Sequence, residues 1–245
     1  MQHIKALIYD VFGTVVDWRR GIAGEAKAFL GDEKGYDLDW EAFADAWRGQ
    51  YQPSMERIRK GERPFTKLDI LHRENLVTIL PDFGVTGLSD AELDHFNTAW
   101  HRLPPWPDSV PGLIRLKTKF IIGTQSNGNI ALMVNMAKNG GLPWDVILGA
   151  EVVQAYKPMP EAYTRACEAL SLPPEQVMMV AAHTNDLLAA RAQGLKTAFV
   201  ARPLEFGTRN PKADIEPHES VDVSAWSFTE PVSYTHLTLP TKWWV

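Results

Sequence analysis

Ala6-Leu7-Ile8-Tyr9-Asp10-Val11-Phe12-Gly13-Thr14 is the stretch on which the fold turns. Four consecutive apolar residues, stopped by an aspartate and a Gly-Thr turn, have the length and bounds of a strand buried on both faces. Similar short runs return as Phe120-Ile121-Ile122, Val146-Ile147-Leu148, Val177-Met178-Met179-Val180 and Thr197-Ala198-Phe199-Val200. Helix-length stretches at roughly 127–140, 160–170 and 185–193 separate them, several closed by glycine (Gly140-Gly141, Gly194). Strand and helix in alternation predict an α/β fold with a doubly wound parallel sheet. Ligands of such sheets bind beyond the carboxyl ends of the strands, the position of Asp10.

Outward from that strand the pattern changes. From about residue 18 to about 98 the strand signals vanish, and helical patterning runs over 22–30, 39–60, 66–80 and 89–101, punctuated by Gly61-Glu62-Arg63-Pro64 and Pro81-Asp82-Phe83-Gly84. This is too long for an ordinary crossover and predicts an inserted all-helical cap domain. The expected division is a core of residues 1–17 and 98–230, a cap of 18–97, and a tail of 231–245. The tail, Pro231 to Val245, matches no helix expected to close the fold, resembles a translated adapter, and is expected to be non-native.

Composition narrows the function. With 245 residues, 45% hydrophobic and 22% charged, the chain has the make-up of a globular protein with a substantial core. A formal charge of −5 opposes nucleic-acid binding. No apolar run approaches the ~18 residues of a membrane span, and Asp10 interrupts the first apolar stretch before it reaches signal-peptide length. A single cysteine, Cys167, allows neither an intramolecular disulfide nor a cysteine metal cage, and a cytoplasmic location is expected. His3, His72, His95, His101 and His218 show no metal-ligand spacing, and no dinucleotide fingerprint follows the first strand, so no cofactor is expected.

Four segments beside strand ends hold polar residues that would be costly to bury without purpose: Asp10 to Asp17, Thr124-Gln125-Ser126-Asn127-Gly128, Tyr156-Lys157-Pro158 with Tyr163 beyond it, and Ala181-Ala182-His183-Thr184-Asn185-Asp186. Their order resembles the haloacid dehalogenase (HAD) superfamily, which places a nucleophilic Asp after strand one, Ser or Thr-Asn after strand two, a later Lys and an acidic loop after strand four. The phosphatase branch of that superfamily needs Asp-x-Asp and a Gly-Asp-x-x-x-Asp loop to protonate its leaving group and hold Mg²⁺. Here Phe12 and Ala182 stand at the two carboxylate positions. A halide leaves without a proton, and displacement at carbon develops no phosphoryl charge for a metal to offset, so the two absences agree, and with Asp10-Val11-Phe12-Gly13-Thr14 and Ala181-Ala182-His183 the chain resembles the (S)-2-haloacid dehalogenase branch.

That resemblance implies a hydrolase in which Asp10 attacks C2 of a short 2-haloalkanoic acid with inversion and water then hydrolyses the aspartyl ester. It implies catalytic roles for Asp10, Lys157, His183, Asp186 and Thr14, with Lys157 keeping Asp10 anionic. It implies substrate contacts from Ser126, Asn127 and Gly128 to the carboxylate, from Arg48 to the halide, and from Phe12 and Trp47 as an apolar wall. Tyr163 and Asn185 are supporting residues. As water activator His183 assisted by Asp186 is preferred, with Glu25 in the first cap helix a candidate to orient the imidazole. The implied partner is the small haloacid, with a homodimer by resemblance alone. The rival readings are a Mg²⁺-dependent phosphatase, a non-catalytic binding module on this fold, and an enzyme opening a strained heterocycle with the same nucleophile.

Overall fold

The structure, a computed structural model, describes residues 3–208, 213–230 and 233–234. Strand β1 (Ala6–Tyr9) is followed by helices α1 (Trp18–Ala26, running on into a π-helical stretch Lys27–Glu33), α2 (Trp40–Gly49), α3 (Tyr51–Arg59), α4 (Leu68–Ile79), α5 (Asp90–Asn97) and α6 (Ser109–Lys117). Then come β2 (Ile121–Ser126), α7 (Ile130–Gly140), β3 (Val146–Gly149), α8 (Ala150–Val153), α9 (Pro160–Ala169), β4 (Val177–Ala181), α10 (Thr184–Ala192), β5 (Lys196–Val200), β6 (Val223–Ala225) and β7 (Ser233–Tyr234). The strands form one sheet in the order β3-β2-β1-β4-β5-β6-β7. All neighbours are parallel except β7, which runs antiparallel to β6.

β1 is an interior strand between β2 and β4, with Tyr9 in register with Thr124 on one side and Val180 on the other. Its side chains alternate between two cores: Leu7 and Tyr9 join the cluster that continues into the helices after β1, and Ala6 and Ile8 join the cluster under α9 and α10. Burial on both faces is why the strand reads as an unbroken apolar run. The chain winds from β1 through β2 to β3 on one side and then crosses to β4, so the crevice of this sheet opens beyond the ends of β1 and β4.

The helices after β1 are stopped and started by side chains readable in the sequence. Asp17 and Asp39 accept hydrogen bonds from the amides of Arg20 and Ala42, and Ser89 with Glu92 forms a reciprocal capping box. The helix expected over 39–60 is two helices, parted at Gln50. Pro53 has no amide proton and its ring would meet the carbonyl of residue 49, so the chain must restart there. Helix α6 and strand β6 were not expected; Pro111 disguises the first, where it falls within a first turn that tolerates proline, and three-residue length hides the second. Of the tail expected to be non-native, only the backbone of Ser233 and Tyr234 is described, paired with β6, and the rest of 231–245 lies outside the described residues.

Candidate active site

Asp10 follows the last residue of β1, and its carboxylate is gripped from three sides. Lys157 Nζ donates to Oδ1 at 2.9 Å, the Thr14 hydroxyl donates to Oδ2 at 2.8 Å, and His183 Nδ1 lies 2.9 Å from Oδ2. Thr14 is fixed in turn by the Ala182 amide, which donates to its Oγ1 at 2.9 Å, so the loops after β1 and β4 are tied together. Lys157 also donates to Asp186 Oδ2, and the Tyr163 hydroxyl donates to the other oxygen of that carboxylate at 2.6 Å. Asn127 Oδ1 accepts the Lys157 amide at 2.9 Å and sets the height of the lysine above the sheet.

The electrostatics follow from this packing. Burial alone would raise the Asp10 pKa, but the charges and hydrogen bonds of Lys157 and His183 outweigh it and hold the carboxyl below the usual carboxylate range. Burial works against the Lys157 ammonium, yet Asp10 and Asp186 together keep it charged. Asp186 is shifted upward, by burial and by the negative charge of Asp10, against the pull of Lys157.

His183 sits between two carboxylates. Its Nε2 lies 3.0 Å from both oxygens of Glu205, which is only 2% exposed and also accepts the Trp18 indole N–H at 3.0 Å. Burial disfavours the imidazolium, but Glu205 and Asp10 more than compensate, and the pKa stands well above the ordinary histidine value. With acceptors at both ring nitrogens, His183 rests as an imidazolium. The Glu205 contact depends on Gly13, whose φ of +83° is the left-handed region, and where a Cβ would fall 2.1 Å from Glu205 Oε1.

This arrangement has a stability consequence whose sign is fixed. A histidine with its folded pKa raised above the unfolded value of about 6.5 stabilises the fold fully below that value and loses the contribution as pH rises through the folded pKa. Thermal midpoints of the wild-type protein should therefore fall as the pH climbs above about 6.5. In His183→Asn that alkaline slope should shrink; an unchanged slope would mean that the imidazole is not held in its charged form.

Several expected residues take other places. Glu25 does not reach His183; it forms an ion pair with Arg102, and Glu205 occupies the orienting position instead. Trp47 is fully buried, its indole donating to the His72 carbonyl and its ring packed on Phe43, Phe96 and Trp100, so it backs the apolar wall, and the ring against Phe12 is that of Trp100. Asn185 is exposed on the first turn of α10 and makes no described hydrogen bond to the cluster. The Arg48 guanidinium lies over Phe12, in a cage with Trp18 and Tyr51.

Ser126 ends β2, and its hydroxyl oxygen accepts the Gly128 amide at 3.0 Å. That Gly128 amide is therefore spent internally, whereas the Ser126 hydroxyl proton and the Asn127 side-chain NH₂ remain as donors. The helix after this turn begins at Ile130, and its first amide goes to Glu151. Glu205 escaped the sequence reading because its signal is short: one acid between apolar neighbours in Leu204-Glu205-Phe206, just past β5. An acid at a strand's carboxyl end is the same cue that singled out Asp10.

A divalent cation does not fit beside Asp10. The carboxylate already faces two cationic side chains, and Ala182 supplies no further carboxylate. Among the described residues no three His, Cys, Asp or Glu side chains gather in metal-ligating geometry.

The haloacid dehalogenase-like hydrolase family matches residues 4–194. Among solved structures, a defluorinating L-2-haloacid dehalogenase is 50% identical with a TM-score of 0.89, covering 92% of each chain. A second L-2-haloacid dehalogenase is 44% identical with a TM-score of 0.87, covering 92% of this chain and 95% of its own. The (S)-2-haloacid dehalogenase 1 of Pseudomonas sp. (strain CBS-3) is 28% identical over 206 residues, 82% of this chain and 86% of the relative. With its lone strand-end aspartate, shared lysine and helices inserted after β1, the chain belongs to the haloacid dehalogenase-like hydrolases.

Proposed function

We propose that the protein is an (S)-2-haloacid dehalogenase, which hydrolyses short 2-haloalkanoic acids to 2-hydroxy acids with inversion at C2. The observation that carries this reading is the partnering of Asp10. Oδ2 receives two hydrogen bonds and Oδ1 one, so Oδ1 keeps a lone pair for attack. Among the described residues the hydrogen-bond partners of the Asp10 carboxylate are two cations and a hydroxyl, which favour an ionised nucleophile, while the neighbouring Asp186 carboxylate is engaged by Lys157 and Tyr163. Sharing Lys157 with Asp186 keeps that ammonium from pairing with the nucleophile alone.

In the first half-reaction Oδ1 bonds to C2 from the side opposite the halogen, and the electron pair of the carbon–halogen bond leaves with the halide. The Ser126 hydroxyl and the Asn127 amide hold the substrate carboxylate, and Arg48 receives the halide. Phe12 and Trp100 keep water from the reacting carbon. Ester formation removes the Asp10 charge, and His183 loses the partner that held its Nδ1 proton. The ring is about a third exposed (31%), so that proton passes to solvent. The imidazole, still bonded to Glu205, then takes a proton from the water that attacks Asp10 Cγ. Collapse of the tetrahedral intermediate breaks the bond between Cγ and the ester oxygen, the proton left on the attacking oxygen passes to the departing alkoxide to give the 2-hydroxy acid, and carboxylate and imidazolium are restored; the proton released earlier is the net proton of the hydrolysis.

The helices of residues 18–97 serve as the cap that closes over this site, and the core comprises 1–17 and 98–230. We extend the reading to a cytoplasmic homodimer, on the family resemblance and the single buried Cys167. The test is halide release from the two enantiomers of 2-chloropropanoate, with and without chelator. Chloride should come from the (S) enantiomer, with (R)-lactate as product and no change on chelation. Single turnover in heavy-oxygen water should place label in Asp10. Release of phosphate from phosphomonoesters that stops on chelation, with no chloride from either enantiomer, would defeat the reading.

A further inference from the structure

Around Phe12, two residues beyond Asp10, three buried side chains carry polar atoms without a hydrogen-bond partner among the described residues: Arg48 at Nη1, His72 at both ring nitrogens, and Trp100 at Nε1. His72 is 1% exposed and Trp100 is 0% exposed. Buried donors are almost always satisfied, and a position that only had to fill the core would be served better by an apolar ring. Two such rings side by side call for an occupant that the protein itself does not supply.

The geometry brings them together. His72 stacks on Trp100 with ring centroids 4.3 Å apart, and both stand edge-on to Phe12, at 6.3 Å and 5.8 Å. The Arg48 guanidinium lies 5.6 Å from the Phe12 ring and 3.8 Å from that of Tyr51, which is itself 6.1 Å from His72. The His72 backbone is held by the Trp47 indole, and Asp69, one turn earlier on α4, is tied to Asn129 and His101. Burial pushes the His72 pKa down to about 3, so the ring is neutral at ordinary pH and carries one N–H.

We propose that His72 and Trp100 donate their ring N–H groups to the departing halide beside Arg48, and that this makes the pocket selective for fluoride as leaving group. The inference rests on the dehalogenase reading. Fluoride concentrates its charge on the smallest radius and loses the most hydration when buried, so it needs the most hydrogen-bond donors. Chloride and bromide are served well by a guanidinium and aromatic edges. When the carbon–fluorine bond breaks, its electron pair goes to fluorine while Asp10 Oδ1 bonds to C2. The two N–H groups stabilise the charge without transferring their protons, and are present before the charge develops.

The experiment compares kcat/KM for fluoroacetate and chloroacetate in the wild type, His72→Phe and His72→Gln. His72→Phe should lose about 100-fold on fluoroacetate, as when one preorganised donor is removed, and less than about 5-fold on chloroacetate. His72→Gln, which restores an N–H, should regain part of the fluoroacetate loss. Equal losses on both substrates, or none, overturn the proposal. A second readout needs neither turnover nor a core variant: the Trp100 indole N–H resonance should shift when sodium fluoride is added to Asp10→Asn protein. No shift overturns the proposal as well. A fluoride-dependent shift in a protein that releases no halide from any haloacid would instead sink the dehalogenase reading and leave the fluoride site standing.

Discussion

Asp10→Asn is expected to lower halide release by on the order of 10⁴-fold or more, because a neutral amide cannot form the ester and no second carboxylate stands where it could take over. Asp186 is the nearest alternative, but it is bound to Lys157 and Tyr163 and belongs to the first turn of α10. The variant should fold, since Lys157 keeps Asp186 and His183 keeps Glu205 when the charge at position 10 is gone. It also imitates the esterified enzyme, whose Asp10 side chain is likewise uncharged. The His183 pKa, followed by NMR titration, should therefore be lower in Asp10→Asn than in the wild type. Full halide release by Asp10→Asn would end the covalent mechanism, and an unmoved His183 pKa would end the proposed switch from imidazolium to base.

Glu205→Gln is expected to separate the two half-reactions. The glutamine oxygen can still accept the Trp18 indole proton, and its NH₂ then faces His183 Nε2. A donor at that place forces Nε2 to accept, which puts the imidazole proton on Nδ1 and leaves no lone pair there to take a proton from water. Ester formation depends on Asp10 and Lys157 and should persist, whereas hydrolysis should slow by about 10²- to 10⁴-fold, the range for loss of a general base. Denatured-protein mass spectrometry after mixing with (S)-2-chloropropanoate should show a stable adduct of one carboxyethyl group on the peptide containing Asp10. Rapid steady-state turnover without an adduct would show that Glu205 has no part in water activation, and would return that task to Asp186.

Local signals made most of this protein legible. A strand buried on both faces must be a short unbroken apolar run, and a polar residue that ends such a run must lie at the rim of the sheet. That is why Asp10, Ser126 and the His183 loop could be named as a group, whereas Lys157 was tied to Asp10 through the family resemblance of Tyr156-Lys157-Pro158. Helix boundaries were less visible: the Gln50 break depends on one proline three residues on, and β6 exists because β5 offers an unpaired edge.

What the amino-acid order determined by itself was the parallel sheet, the run of helices after β1 and the lone strand-end aspartate, since each is written in contiguous residues with their own periodicity or turn chemistry. Only the tertiary structure decided which acid holds His183. Neither Glu25 nor Glu205 carries a local signal that links it to His183, but the left-handed turn at Gly13 opens room for Glu205 while Arg102 draws Glu25 away. Likewise, His72, Trp100 and Arg48 come from separate elements and have no common spacing; their nitrogens acquire meaning only where packing around Phe12 brings them together without a partner among the described residues.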